Sequence, residues 1–278
     1  MKIKNELINM TLATTIGFLI TGCAPGNSST GTVSSGFKMT AGSAPATVAL
    51  NQKPSLFNLL INQAMALVPT SLQDSAGSSI VLSSAWTVIK EIEFKSGEVA
   101  GVEDSEIEIE FKGPYVVDLL SNMPVILDTQ LIAQKSIQRI KMKLHQTAVL
   151  PAGAPAGLLN NSIFVAGTIA GRNFTFQLND STTIQIAGPS SFQPSENSQL
   201  MVQIQLANIF KQINMSTVVN NEVISASNRH SGASLCPSID ASASDIYTCM
   251  RKGLEKHAKF GKDNDGDNVL TPNDSSVN

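Results

Sequence analysis

Residues 262–274 read KDNDGDNVLTPND, with carboxylates at Asp263, Asp265 and Asp267, a hydroxyl at Thr271 and a further carboxylate at Asp274. Alternate spacing over 263–267 turns three carboxylates toward one side of a tight turn. An all-oxygen donor set of this kind suits a hard divalent cation, which takes about six to eight oxygens. Asn268 follows where such a turn needs positive φ, and Asn tolerates that geometry better than other non-glycine residues. The bland alternative is a solvated acidic tail.

With Asp263 as its first position, this stretch resembles the calcium loop of EF-hand proteins. The resemblance implies calcium held by Asp263, Asp265, Asp267, the backbone carbonyl of Val269, Thr271 through a water, and Asp274. Two positions depart from the pattern. Asn268 stands where the family has Gly, and Asp274 stands where it has a bidentate Glu. The shorter arm of Asp274 lowers the expected affinity to that of extracellular modules, a Kd of about 10⁻⁴ to 10⁻³ M. An entering helix is expected over 242–262. Ser242 and Asp245 have a capping-box-like spacing, and Ile246, Met250 and Leu254 fall on one face. Arg251, Lys252, Lys256, Lys259 and Lys262 lie toward the C-terminal end, which the helix dipole favours for cations.

The other end of the chain bears on its compartment. Lys2 and Lys4 precede an apolar run over 8–20, too short to span a bilayer comfortably and flanked like a signal peptide. Ile20-Thr21-Gly22-Cys23 resembles a bacterial lipobox. That resemblance implies removal of residues 1–22, lipidation of Cys23 and a stable tether to the membrane, since two or more acyl chains anchor durably. Ala24 after the Cys resembles an outer-membrane sorting address. With Cys23 committed to lipid, Cys236 and Cys249 are left as a pair in an oxidising compartment. A bridge between them is expected, with two buried free thiols as the alternative. His145, His230 and His257 lack zinc-ligand spacing, and no Cys-x-x-Cys is present.

Composition sets the remaining bounds. Across 278 residues the formal net charge is −3 and only 15% of residues are charged, so the basic excess of a nucleic-acid binder is missing. Residues 24–47 are Ala, Gly, Ser, Thr and Pro with few large apolar groups, and read as a flexible tether. Residues 53–69 keep a helical period through Leu56, Leu59, Leu60, Ala64 and Leu67. That helix packs on the following domain or lies on a membrane surface. From Ser79 the period becomes two. Strands are expected at 85–94, 105–111, 140–145, 162–169, 173–178, 182–187 and 199–206, separated by turn signals such as Gly113-Pro114 and Gly171-Arg172-Asn173. The acidic row Glu106, Glu108, Glu110 and the basic row Lys141, Lys143, His145 would suit neighbouring strands. Trp86, Leu119 and Leu120 read as core, and Asp118 as the cap of a turn.

The order AWTVIKEIEF at 85–94, YVVDLL at 115–120 and IQRIKMKLH at 137–145 resembles the bacterial envelope domains labelled domain of unknown function 4382. Lys141 stands where that family carries Arg. The match spans about 80–150 and implies a transthyretin-like β-sandwich with no reaction attached.

The expected protein is therefore mainly β, an antiparallel β-sandwich with an N-terminal helix and a C-terminal helix plus calcium-type loop. Its expected parts are a signal peptide over 1–22, lipidated Cys23 with a tether over 23–52, a helix and sandwich over 53–225, and a disulfide-linked helix and loop over 226–278. No Gly-x-Ser-x-Gly elbow and no His-Glu-x-x-His occurs. Ser35 to Lys38 matches Ser-x-x-Lys without the partner motifs. The leading expectation is a non-enzymatic envelope lipoprotein that binds calcium and a glycan or protein partner. The alternative is an envelope hydrolase with a site assembled from loops, recognisable by His145 or His230 meeting a carboxylate and a hydroxyl.

Overall fold

The structure, a computed structural model, describes residues 32–40, 72–96, 108–121, 124–196 and 198–277. The lipobox, Cys23 and the helix expected over 53–69 lie outside the described residues. Among the described residues no helix is long and apolar enough to cross a membrane.

Two mixed sheets dominate. The smaller has the order β13 (Ser275–Ser276), β12 (Ala258–Asp263), β10 (Ser198–Ile204), β1 (Thr32–Thr40), β5 (Val125–Ala133). The larger is organised on β3 (Ser79–Ser96), whose 18 residues serve two sets of neighbours. On one edge β3 pairs with β7 (Ile163–Ile169) through its first half and with β6 (Ile137–Leu144) through its second. The opposite edge takes β2 (Leu72–Gln73) and β4 (Glu108–Asp118). Trp86 marks the changeover, opposite Phe164 of β7 and Asp118 of β4 at once. Beyond these, β8 (Arg172–Leu178) pairs with β7 and with β11 (Glu222–Ile224), while β9 (Thr183–Phe192) pairs with β6.

Aromatic rings join the sheets. Phe37 of β1 lies 5.3 Å, centroid to centroid, from both Phe94 of β3 and Phe111 of β4, and Phe260 of β12 stacks on Phe94 at 4.8 Å. Edge-to-face and offset pairs of this kind add to the area each ring buries. Trp86 is half-buried on the outer side, in a satellite cluster with Val88, Leu158 and Phe164. Leu119 is buried, Leu120 packs on the main core, and the Asp118 carboxylate accepts from the Leu120 N–H at 2.9 Å, capping its turn.

Five expectations need correction. Residues 32–40 form β1 and not part of a tether. Val33, Ser35, Phe37 and Met39 alternate onto one buried face, and period two over nine residues outweighs a polar average. The sheets are not purely antiparallel, because β1 runs parallel to β10 and β11 parallel to β8. The acidic and basic rows are not neighbours: β3 lies between β4 and β6 and adds Glu91 and Glu93, both paired with Lys143. The C-terminal helix α2 (Ile246–Lys256) stops six residues before 262, and residues 258–263 form β12. Finally, β12 and β13 complete the sheet of β1, β5 and β10, so residues 226–278 share one compact unit, Gly31–Asn278, with the rest of the described chain. A short helix, α1 (Leu206–Phe210), follows β10.

Candidate functional site

Ala258 and Phe260 are buried and alternate with half-buried Lys259, while Lys262 and Asp263 close the strand. That period of two draws 258–263 into an antiparallel pairing with β10, from Gln199↔Asp263 to Ile204↔Ala258. After Asp263 the chain loops out and returns as β13, with Lys262↔Ser275 and Gly261↔Ser276. The acidic loop is therefore the connection of a β-hairpin, entered from a strand. This overturns the EF-hand arrangement of a helix running into the loop.

The loop brings three of the expected ligands together. One oxygen from each of Asp263, Asp265 and Asp267 lies within 4.8 Å of the other two, a group that could hold a metal ion. Asn268 adopts φ 66° and Gly266 φ 77°, so the chain takes the left-handed turn expected at Asn268. Asp263 Oδ1 accepts from the Gly266 N–H at 2.7 Å, Asp265 Oδ1 from the Asp267 N–H at 3.2 Å and Asp267 Oδ1 from the Val269 N–H at 2.8 Å. Val269 and Leu270, which follow the turn, are buried.

Asp274 lies outside that group of carboxylates. Asp274 Oδ2 accepts from the Thr271 N–H at 2.7 Å and from its hydroxyl at 2.9 Å, and Asp274 Oδ1 from the Asn264 N–H at 2.8 Å. With both its oxygens engaged, the Asp274 side chain closes the base of the hairpin.

Sequence reasoning missed Lys38. On β1 it lies opposite in direction to core-facing Phe37 and Met39, yet it is only 5% exposed because the acidic loop covers it. Its Nζ donates to Asp263 Oδ2 at 2.5 Å and to Asn268 Oδ1 at 2.7 Å. Burial would push the Asp263 carboxyl up. The Lys38 ammonium and the N–H groups of Gly266 and Asn268 overcome this and hold it below the usual carboxylate range. Asp267 is raised, first by burial and then by the carboxylates of Asp265, Asp263 and Asp274, against the pull of the Val269 N–H. One carboxylate is thus already neutralised by an internal cation, while its neighbour is electrostatically frustrated.

A second constellation lies on other loops. His230 Nδ1 is 2.6 Å from Glu222 Oε1, and His230 Nε2 is 2.9 Å from the Thr217 hydroxyl. The side chains of His230 and Glu222 are 13% and 8% exposed, while Thr217 is exposed. Glu222 opens β11, and its other oxygen accepts from the Val219 N–H at 2.8 Å. His230 takes φ 53°, and its carbonyl accepts from the Ile246 N–H at the start of α2. That helix is capped by Asp245, which accepts from the Thr248 N–H at 2.7 Å, and is tied to residue 236 by the Cys236–Cys249 disulfide, Cα–Cα 5.9 Å. His145 is exposed and joins no such group among the described residues. His257 is pushed down from the usual imidazole range, first by burial and then by Lys256.

No family model, curated protein or solved structure matches this chain.

Proposed function

We propose that this protein is a lipid-anchored cell-envelope module whose two sheets form a β-sandwich and whose C-terminal hairpin binds calcium. The observation that carries the reading is the hairpin itself. Three Asp carboxylates converge on a turn that already receives a positive charge, the Lys38 ammonium on Asp263. The donor set fits a hard cation, since it is all oxygen and carries three negative charges against one. Asp263, Asp265 and Asp267 would hold the ion, which would relieve the carboxylate repulsion that adds to burial in raising Asp267 and order the end of the chain. Thr271 and Asp274 would shape the loop from outside. Affinity falls in the range of extracellular modules, because the ion must share Asp263 with Lys38 and has no longer carboxylate arm.

The membrane is reached through lipidated Cys23, at an outer-membrane address on the Ala24 rule. The sandwich then presents a surface to a glycan or protein partner, and nucleic acid is not a partner.

Two measurements test this. Fatty-acid labelling in a bacterial host should mark wild type and spare Cys23→Ser; equal labelling would remove the anchor. Thermal unfolding with calcium at about 100 times its Kd should show about 2.7 kcal/mol of added stability in the unit that unfolds with the loop. The same addition should leave Asp263→Ala/Asp265→Ala unchanged.

A further inference from the structure

The geometry points to a nucleophilic site at Thr217: we propose that Thr217, His230 and Glu222 form a hydroxyl–imidazole–carboxylate relay that cleaves esters with an apolar acyl group. This goes beyond the calcium reading and shares no residue with it.

Three observations carry the inference. First, the proton positions follow from the partners. An ionised carboxylate only accepts, so the Nδ1 facing Glu222 Oε1 at 2.6 Å carries a proton. In the neutral ring Nε2 is then an acceptor, and the Thr217 hydroxyl 2.9 Å away donates to it. This is the arrangement in which a base activates a hydroxyl and a third group orients the base. Second, exposure is graded along the relay, from nearly buried Glu222 and His230 to exposed Thr217, so the reactive end meets solvent. Third, the relay is held from several sides. The Val219 N–H and His230 fix Glu222. The Met215 N–H donates to the buried Asp74 carboxylate at 3.0 Å, Arg172 donates to the Ser216 carbonyl at 2.8 Å, and α2 grips the backbone of 229 and 230. A left-handed φ at His230 persists only where its surroundings over-determine it.

The substrate class follows from the flank. Val219, two residues beyond Thr217 on the same loop, is 61% exposed, and an exposed apolar side chain so near the hydroxyl in sequence suits an acyl chain. In the reaction Thr217 Oγ1 attacks the ester carbonyl carbon, and its proton passes to His230 Nε2. The bond to the alcohol oxygen breaks, and the departing alcohol takes that proton. Water then attacks the Thr217 ester by the same route, releasing the acid and restoring the hydroxyl. Glu222 is a positioning residue that holds the ring in the productive tautomer and stabilises its cation.

The test is labelling of the full mature chain with an alkyl fluorophosphonate, followed by peptide mass spectrometry. Attack of Thr217 Oγ1 on phosphorus expels fluoride and leaves one phosphonyl group on Thr217. Wild type should be labelled there and Thr217→Ser should keep the label. His230→Gln should slow labelling by at least about 100-fold, the scale of one general base. Glu222→Gln should slow it too, and Glu222→Asp should recover part of the rate, which a merely structural role would not require. Thr217→Ala, at an exposed position, should fold like wild type and take no label. An unlabelled Thr217 in wild type overturns the proposal, as does a His230→Gln rate equal to wild type.

Discussion

At the C-terminal hairpin a buried carboxylate, Asp263, meets an ammonium; on the loops around β11 another nearly buried carboxylate, Glu222, meets an imidazole. The Lys38 ammonium donates to Asp263 and to Asn268 and so adds a contact between β1 and the loop. His230 holds its second nitrogen toward an exposed hydroxyl, that of Thr217. The first partner closes a site down, and any further cation has to compete with it. The second leaves an open end in solvent. Two carboxylates of similar burial therefore serve different chemistry because of what faces them, and the facing residues come from elsewhere in the chain, 225 positions away for Lys38 and 8 for His230.

The sharpest way to break the comparison is to remove the fixed charge. Lys38→Met leaves Asp263 buried without its partner, and losing one member of a buried pair costs about 3–5 kcal/mol. Chemical denaturation of the calcium-free chain should show that loss. Calcium should restore more stability to Lys38→Met than it adds to wild type, because the competing ammonium is gone. Equal calcium effects would show that Lys38 does not compete.

Next in size is the covalent tie. A bridge closing a loop of thirteen residues contributes about 3 kcal/mol in the chain-entropy model. Cys236→Ser/Cys249→Ser should lose stability on that scale and loosen the backbone at His230, with faster amide exchange there. The acidic hairpin, joined to β10 and β1 instead, should keep its response to calcium. A variant that lost both would join the two regions that the comparison separates.

The effect of acid separates the two loop carboxylates. Asp263 is depressed in the folded state, so its contribution is present above its unfolded pKa of about 3.9 and is lost as pH falls through the lower folded value. Asp267 is raised, so its contribution has the opposite sign: the folded state gains as pH falls through the raised value. Carboxyl titration by NMR should place Asp263 below Asp267. The reverse order would remove Lys38 from its assigned role.

The smallest expected effect is at the hairpin base. Asp274→Ala removes the acceptor for two backbone N–H groups and one hydroxyl, and at this exposed turn should cost about 1 kcal/mol. It should change calcium affinity less than Asp265→Ala does, since Asp274 is not one of the three carboxylates whose oxygens converge.

Strands β3, β4 and β6 to β10 were legible because their alternation survives in a window of a few residues, as in Ile140, Met142 and Leu144. The loop was legible for a similar reason: Asp263, Asp265 and Asp267 are neighbours in sequence, and a tight turn alone brings them together. What failed was non-local. β1 looks like tether until β5 and β10 lie on either side of it. Residues 258–263 continue a helical charge pattern until β10 captures them as a strand. Lys38 lies 225 positions from Asp263, and nothing local in the sequence ties it to the loop. Thr217, Glu222 and His230 have no motif spacing; only the path through β11 and the anchoring of His230 to α2 bring them together.

Calorimetric titration of calcium into the full mature chain, beside Asp263→Ala/Asp265→Ala, tests the central claim most directly. The expected result is saturable binding to wild type with a Kd of about 10⁻⁴ to 10⁻³ M and none to the double variant. No binding heat from wild type up to about 10 mM calcium, well above that range, would contradict the account and leave the hairpin as a lysine-clasped turn.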